Sequence, residues 1–210
     1  ARDFVKYFMS ELTTSIDLMR HGEPVGGRKY RGQLDDPLSE KGWQQMRAAV
    51  GEHCPWQHIV SSPLQRCQAF ALELAHSKNL PLSFDARFME VKFGVWEGKT
   101  AEQLRAQDPQ VIARFKRDPL NQRPQGAERL EDFYARVRAA WFDLLATHAG
   151  KQVLLVCHAG VIRMVLAHAL NLPLADTYRI DVPSAGLTRL RVQGTGEDAA
   201  HQLLFHHGAL

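Results

Sequence analysis

Three short stretches hold side chains that could act together: Arg20-His21-Gly22, Ser61-Ser62-Pro63-Leu64-Gln65-Arg66 and His158-Ala159-Gly160. Arginine forks and imidazoles placed around one point make an oxyanion site, and glycines beside them let backbone approach the ligand. Each residue alone supports a plainer reading. Arg66 by itself reads as a surface arginine reaching for solvent from a helix, and a lone histidine at a strand end is more often hydrogen-bonded structure than catalyst. Arg66 nevertheless falls in a first helical turn, where the dipole disfavours a cation by a few tenths of a kcal/mol or more. A bound anion would reverse that sign, so the three stretches together favour an anion site. Charge placement agrees: from Arg20 to Arg31 the chain carries Arg20, Arg28, Lys29 and Arg31 against Glu23 alone.

The elements needed to gather these residues are legible in the hydrophobic pattern. Ser15 to Met19, His58 to Ser61, Leu80 to Phe84 and Val153 to Cys157 read as strands, the last an unbroken apolar run suited to a strand buried on both faces. Gly186 to Val192 and Gln202 to Phe205 read as two later strands. Ser62-Pro63-Leu64-Gln65 has the form of a capping box and predicts a helix from Pro63 towards Ala75. From Glu128, apolar residues at steps of three and four (Leu130, Phe133, Val137, Trp141, Leu144, Leu145) predict the longest helix, stopping by Gly150. Ser39 to Gly51 and Ala159 to Leu170 complete the alternation. The expected fold is α/β, a three-layer sandwich with a mostly parallel central sheet and helices on both faces. In such sheets ligands collect past the carboxyl ends of strands, which is where the three stretches lie.

Composition sets bounds on the alternatives. The 210 residues, 45% of them hydrophobic and 23% charged, suit one folded domain. We assign 15–210 to that domain and 1–14 to an N-terminal extension, of which residues 1–8, ahead of Met9, read as added sequence without function. A net charge of +3, from 26 Lys+Arg against 23 Asp+Glu, is too small to imply nucleic acid. No apolar run approaches a membrane helix. Cys54, Cys67 and Cys157, without CxxC spacing, indicate neither a disulfide framework nor a zinc knuckle, and a cytoplasmic location is expected. His201, His206 and His207, near a terminal strand, read as surface or packing residues rather than metal ligands.

Leu18 to Glu23, Ser61 to Arg66, Glu90 ahead of Phe93-Gly94-Val95-Trp96-Glu97-Gly98, and Val156 to Gly160 resemble, in order and context, the histidine phosphatase superfamily, which includes the cofactor-dependent phosphoglycerate mutases. The resemblance runs from Ile16 to Val192. It implies catalytic roles for His21, Glu90, His158, Arg20 and Arg66, with His21 as the nucleophile that forms a phosphohistidine. Glu90 would be general acid and then base, chosen over Glu97 by its place before Phe93-Gly94. Substrate contacts are implied for Arg20, Arg66, His158, the backbone of Ala159, Gln33 and Arg31. No cofactor or metal is implied, because arginine and histidine supply the positive charge. The partner expected is a small phosphomonoester, not nucleic acid or membrane. Within the superfamily, Tyr30 to Trp43 looks most like the alpha-ribazole phosphatases of cobalamin biosynthesis, whereas Pro24-Val25-Gly26-Gly27 departs from the mutases. A mutase and a catalytically silent phospho-ligand binding module stay open as alternatives.

Overall fold

The computed structural model describes residues 12–208. Its elements are β1 (Thr13–Arg20), α1 (Glu40–Val50), β2 (His58–Ser61), α2 (Gln65–Lys78), β3 (Leu82–Phe84), α3 (Ala101–Gln107), α4 (Val111–Arg117), α5 (Leu130–Thr147), β4 (Gln152–Cys157), α6 (Ala159–Ala169), β5 (Leu187–Gln193) and β6 (Ala200–Gly208). The strands form one six-stranded sheet in the order β3-β2-β4-β1-β5-β6. β3, β2, β4 and β1 are parallel, while β5 opposes β1 and β6 opposes β5. The sheet is therefore mostly parallel, as expected.

The apolar run in β4 is explained by its two covers. Val153, Leu155 and Cys157 face a core shared with α5 and α6, whereas Leu154 and Val156 face one shared with α1 and α2. In β1, Ile16 and Leu18 join the first core and Met19 the second. This is the expected three-layer arrangement. No helix among the described residues is long and apolar enough to cross a membrane.

Two boundaries move. Residues 1–11 of the expected extension lie outside the described residues, but Thr13 and Thr14 already belong to β1, paired with Gln193 and Val192. Thr14 is fully buried and its Oγ1 accepts from Gly150 N–H at 3.0 Å, so a polar pair opens the strand. The second correction is the start of α2. Leu64 occupies the cap position without a side-chain bond, and Asp35 Oδ1 takes the Gln65 N–H at 2.7 Å instead. The cap comes from a distant loop because the helix starts two residues after Pro63, and the Ser62 hydroxyl accepts only from Leu64 N–H, at 3.4 Å, while it also faces a histidine, described below.

One stacked pair near the sheet edge makes stability depend on pH. The His58 and His148 rings lie 4.2 Å apart, and His148 is buried. Burial first, then the nearby His58 and Lys151, push the His148 pKa down to about 4 from 6.5. A group depressed in the folded state opposes folding once the unfolded chain takes up its proton, so stability is full above about pH 6.5 and falls as pH drops towards 4. Urea unfolding across that window should show a loss of up to about 3 kcal/mol, and His148→Phe should flatten the slope. An unchanged slope in the variant would remove His148 from this role.

Candidate active site

Parallel register brings the three sequence stretches to one end of the sheet. Arg20 lies opposite Cys157 in the β1–β4 ladder, and Ser61 opposite Val156 in the β2–β4 ladder. The ladders continue one residue further, with His21 N–H donating to Cys157 O and Ser62 N–H to Val156 O, each at 3.0 Å. His21, Ser62 and His158 thus leave three adjacent strands side by side. The two imidazole centroids are 5.2 Å apart, edge to face at 62°.

The state of His21 follows from its neighbours. Its Nδ1 is 2.7 Å from Gly22 O, which can only accept, so Nδ1 carries the hydrogen. Its Nε2 is 3.3 Å from Arg66 Nε, which can only donate, so Nε2 carries the lone pair. Burial, then the Arg66, Arg20 and Arg31 charges, hold the His21 pKa well below its usual value. The ring is therefore a neutral nucleophile facing a guanidinium. Gly22 is needed here because a Cβ on it would lie 2.2 Å from Gly42 O.

Arg66 is 1% exposed, which excludes the surface reading. As the second residue of α2 it points back across the helix start, where Nη1 donates to Leu34 O at 2.8 Å and Nη2 to Gly32 O at 2.7 Å. Those carbonyls aim the guanidinium, and the remaining Nη hydrogens are left for a ligand. His158 is fully buried; its Nε2 is 2.8 Å from Ser62 Oγ and 3.6 Å from Cys67 Sγ. Burial, Arg66, His21 and Arg20 hold its pKa well below the usual value. A bound dianion supplies the opposite charge and favours protonation of this ring. The Cys67 thiol, pushed up to about 12 by burial, is inert packing.

Glu90 reaches the same place from the loop after β3. Its Oε1 accepts from Val91 N–H at 2.9 Å and its Oε2 from Gly160 N–H at 3.1 Å, so the carboxyl group caps the first turn of α6. A Cβ on Gly160 would lie 2.1 Å from Glu90 Oε1, so glycine is what admits the acid. Arg136 on α5 pins the segment, donating to Arg87 O, Met89 O and Glu90 O. Glu97, the rejected acid, instead accepts from Phe93 N–H and Gln33 N–H and holds the loop.

The remaining sequence-derived residues divide. Arg20 lies at the site, with Nη1 on Val182 O at 2.6 Å and a buried Nε lacking a partner among the described residues. Ala159 is the first residue of α6, so its backbone belongs to the same helix N-terminus. Gln33 reaches the rim, its Nε2 donating to Glu90 O at 3.1 Å. Arg31 is partly committed elsewhere, with Nε on Asp36 and Nη2 on Val25 O and Gly27 O, which leaves Nη1 for a ligand. Lys29 also pairs with Asp36. One of the three excess positive charges from 20 to 31 is thus balanced by an acid just past that window. His201 and His206 are packing groups, the first accepting from Trp141 Nε1 and the second bonded to Thr188 Oγ1 and Asp181 O. Sequence reasoning missed Ser62 as a histidine partner, Asp35 as a cap and Arg136 as a clamp. None carries a local signal, since each acts on a residue far along the chain.

A family model for the histidine phosphatase superfamily (branch 1) matches residues 16–202. Phosphoserine phosphatase 1 of Hydrogenobacter thermophilus is 33% identical over 145 residues, covering 66% of this chain and 67% of that protein. The solved structure of a mycobacterial glucosyl-3-phosphoglycerate phosphatase superposes with a TM-score of 0.84 at 28% identity, over 94% of this chain and all of that one. A putative alpha-ribazole-5′-phosphate phosphatase from Escherichia coli, at 21% identity and a TM-score of 0.76 over 94% of this chain and 98% of its own, shares the fold. With His21, Arg66, Glu90 and His158 gathered past the carboxyl ends of the central strands in the order of the family's motifs, this chain belongs to branch 1 of the histidine phosphatase superfamily.

Proposed function

We propose that the site hydrolyses a small phosphomonoester in two displacements through a phosphohistidine on His21. Its family and its phosphoserine and glucosyl-3-phosphoglycerate phosphatase relatives make the chain a phosphomonoester hydrolase. The observation that carries the residue roles is the His21 tautomer, neutral, with Nδ1–H on Gly22 O and the Nε2 lone pair beside Arg66. Arg20, Arg66 and the N-terminus of α6 neutralise the nonbridging oxygens, and His158 donates to them once the dianion is bound. Nε2 attacks phosphorus, the P–O bond to the leaving group breaks, and Glu90, which enters this step as the carboxylic acid, gives its proton to the departing oxygen. Glu90, now a carboxylate, takes a proton from water. The water oxygen attacks phosphorus, the P–N bond breaks, and neutral His21 and inorganic phosphate are returned.

Alpha-ribazole 5′-phosphate is one candidate substrate, on the resemblance of residues 30–43. In the fold that stretch chiefly builds the loop: Gly32 O and Leu34 O hold Arg66, Asp35 caps α2, and Asp36 pairs with Arg31. The phosphoserine and glucosyl-3-phosphoglycerate phosphatases above make carboxylate-bearing phosphomonoesters the other candidates. Phosphate release from alpha-ribazole 5′-phosphate, O-phosphoserine, 3-phosphoglycerate and p-nitrophenyl phosphate tests the reading. Vanadate-sensitive hydrolysis of at least one is expected. Release from none of them would overturn the phosphatase, and interconversion of phosphoglycerates outpacing release would make the chain a mutase.

A further inference from the structure

The two guanidiniums of the site are aimed unequally. Arg66 donates to two carbonyls, whereas Arg20 makes one side-chain hydrogen bond among the described residues, from Nη1 to Val182 O at 2.6 Å, and its Nε is buried without a partner there. Arginine has a long, rotamer-rich side chain, so a single anchor sets its fork only as well as the anchor itself is fixed. The aim of Arg20 therefore depends on what holds Val182.

Val182 lies in residues 180–186, between α6 and β5, which form neither helix nor strand. Three successive carbonyls of that segment are each taken by a side chain from a different element. Arg163 Nε of α6 donates to Ile180 O at 3.0 Å, His206 Nε2 of β6 donates to Asp181 O at 2.5 Å, and Arg20 of β1 donates to Val182 O. The segment also meets the backbone of the nucleophile: Arg20 N–H donates to Gly186 O at 3.1 Å and Ala185 N–H to His21 O at 3.3 Å.

His206 is itself held from behind. Asp181 O can only accept, so Nε2 carries a hydrogen, and in the neutral ring Nδ1 accepts from the Thr188 hydroxyl 2.8 Å away. Thr188 is the residue opposite His206 in the β5–β6 ladder and is 1% exposed. The buried hydroxyl thus orients the ring, and the ring fixes the carbonyl one residue before the one that aims Arg20. A histidine that only closed the β5–β6 pair would need the first of these bonds and not the second.

We propose that His206 is a positioning residue for phosphoryl transfer: through Asp181 O it fixes the neighbouring Val182 carbonyl, and through that carbonyl the aim of Arg20 at the nonbridging oxygens. The proposal rests on the reading of Arg20 as a phosphate ligand given above. Two loops then set the two forks, residues 32–34 for Arg66 and residues 180–182 for Arg20, and the last strand serves the reaction without touching the substrate.

The test is a double-mutant cycle read by calorimetric titration with orthovanadate, with kcat/KM for p-nitrophenyl phosphate as a second readout. His206→Phe keeps a ring and removes both bonds. It should weaken vanadate binding about tenfold while Arg20 is present, the lower end of what a misaimed charged bond costs, and by less than about twofold in an Arg20→Ala background. His206→Gln, whose amide can still donate to Asp181 O, should recover part of the loss, and Thr188→Val should show a smaller loss that also vanishes without Arg20. An equal factor in both backgrounds, or unchanged affinity in a folded His206→Phe protein, would make His206 structural and overturn the proposal. Should that variant not fold, the wild-type tautomer decides: nitrogen NMR in mildly alkaline buffer should place the hydrogen on His206 Nε2, and a hydrogen on Nδ1 would overturn the proposal. If Arg20→Ala left vanadate affinity unchanged, the reading of Arg20 as a phosphate ligand would itself fall, and the role of His206 with it.

Discussion

His21→Ala should lower phosphate release by about 10⁴-fold or more, the scale on which loss of a nucleophile acts, while leaving the fold in place. The loss is chemical: Nε2 supplies the electron pair that displaces the leaving group, and no other imidazole has both its proton held by a carbonyl and its lone pair at Arg66. His158 cannot substitute, because its Nε2 is engaged with Ser62 2.8 Å away. The fold should persist because His21 lies past the end of β1 and its side chain joins neither apolar core. Arg66, deprived of one acceptor, still has Leu34 O and Gly32 O. Rapid alkaline quench during turnover of a radiolabelled substrate should trap acid-labile label on the wild-type protein and none on the variant. Substantial turnover by a folded His21→Ala protein would end the phosphohistidine mechanism.

Glu90→Gln should show a loss that depends on the leaving group. Removing the proton donor slows an alkyl phosphate by about 10²-fold or more, whereas an aryl oxygen of low basicity departs with little help. The second displacement suffers on every substrate, since water loses its base. With p-nitrophenyl phosphate the variant should therefore release about one nitrophenolate per site in a burst, then turn over slowly, with phosphohistidine accumulating. Glutamine also offers only one oxygen where Glu90 accepts from both Val91 N–H and Gly160 N–H, so a uniform penalty adds to every substrate. The burst and the alkyl-to-aryl ratio are insensitive to that penalty. Equal losses on both substrate types, without a burst, would take Glu90 out of proton transfer.

The chain's local patterns foretold the six strands, the helices α1, α2, α5 and α6 and an anion site at the strand ends, but not α3 or α4. Arg20-His21-Gly22 and His158-Ala159-Gly160 are legible because each joins a strand end to the turn after it, and the β4 run is legible because both its faces are covered. Periodicity reports a residue's own element, so it placed the α5 stripe and the start of α6. What it cannot report is which side chain a distant loop will meet. Ser62 read as a helix cap because its neighbours match that pattern, yet in the fold its hydroxyl faces His158, 96 residues away, and Asp35 caps the helix. The resemblance implied Arg31 as a ligand contact, and in the fold Asp36 and two carbonyls take its Nε and Nη2, which leaves Nη1. Arg136 carries no distinguishing motif. Only tertiary packing, which gives it the Glu128 carboxylate and the carbonyls of Arg87, Met89 and Glu90, makes it a clamp.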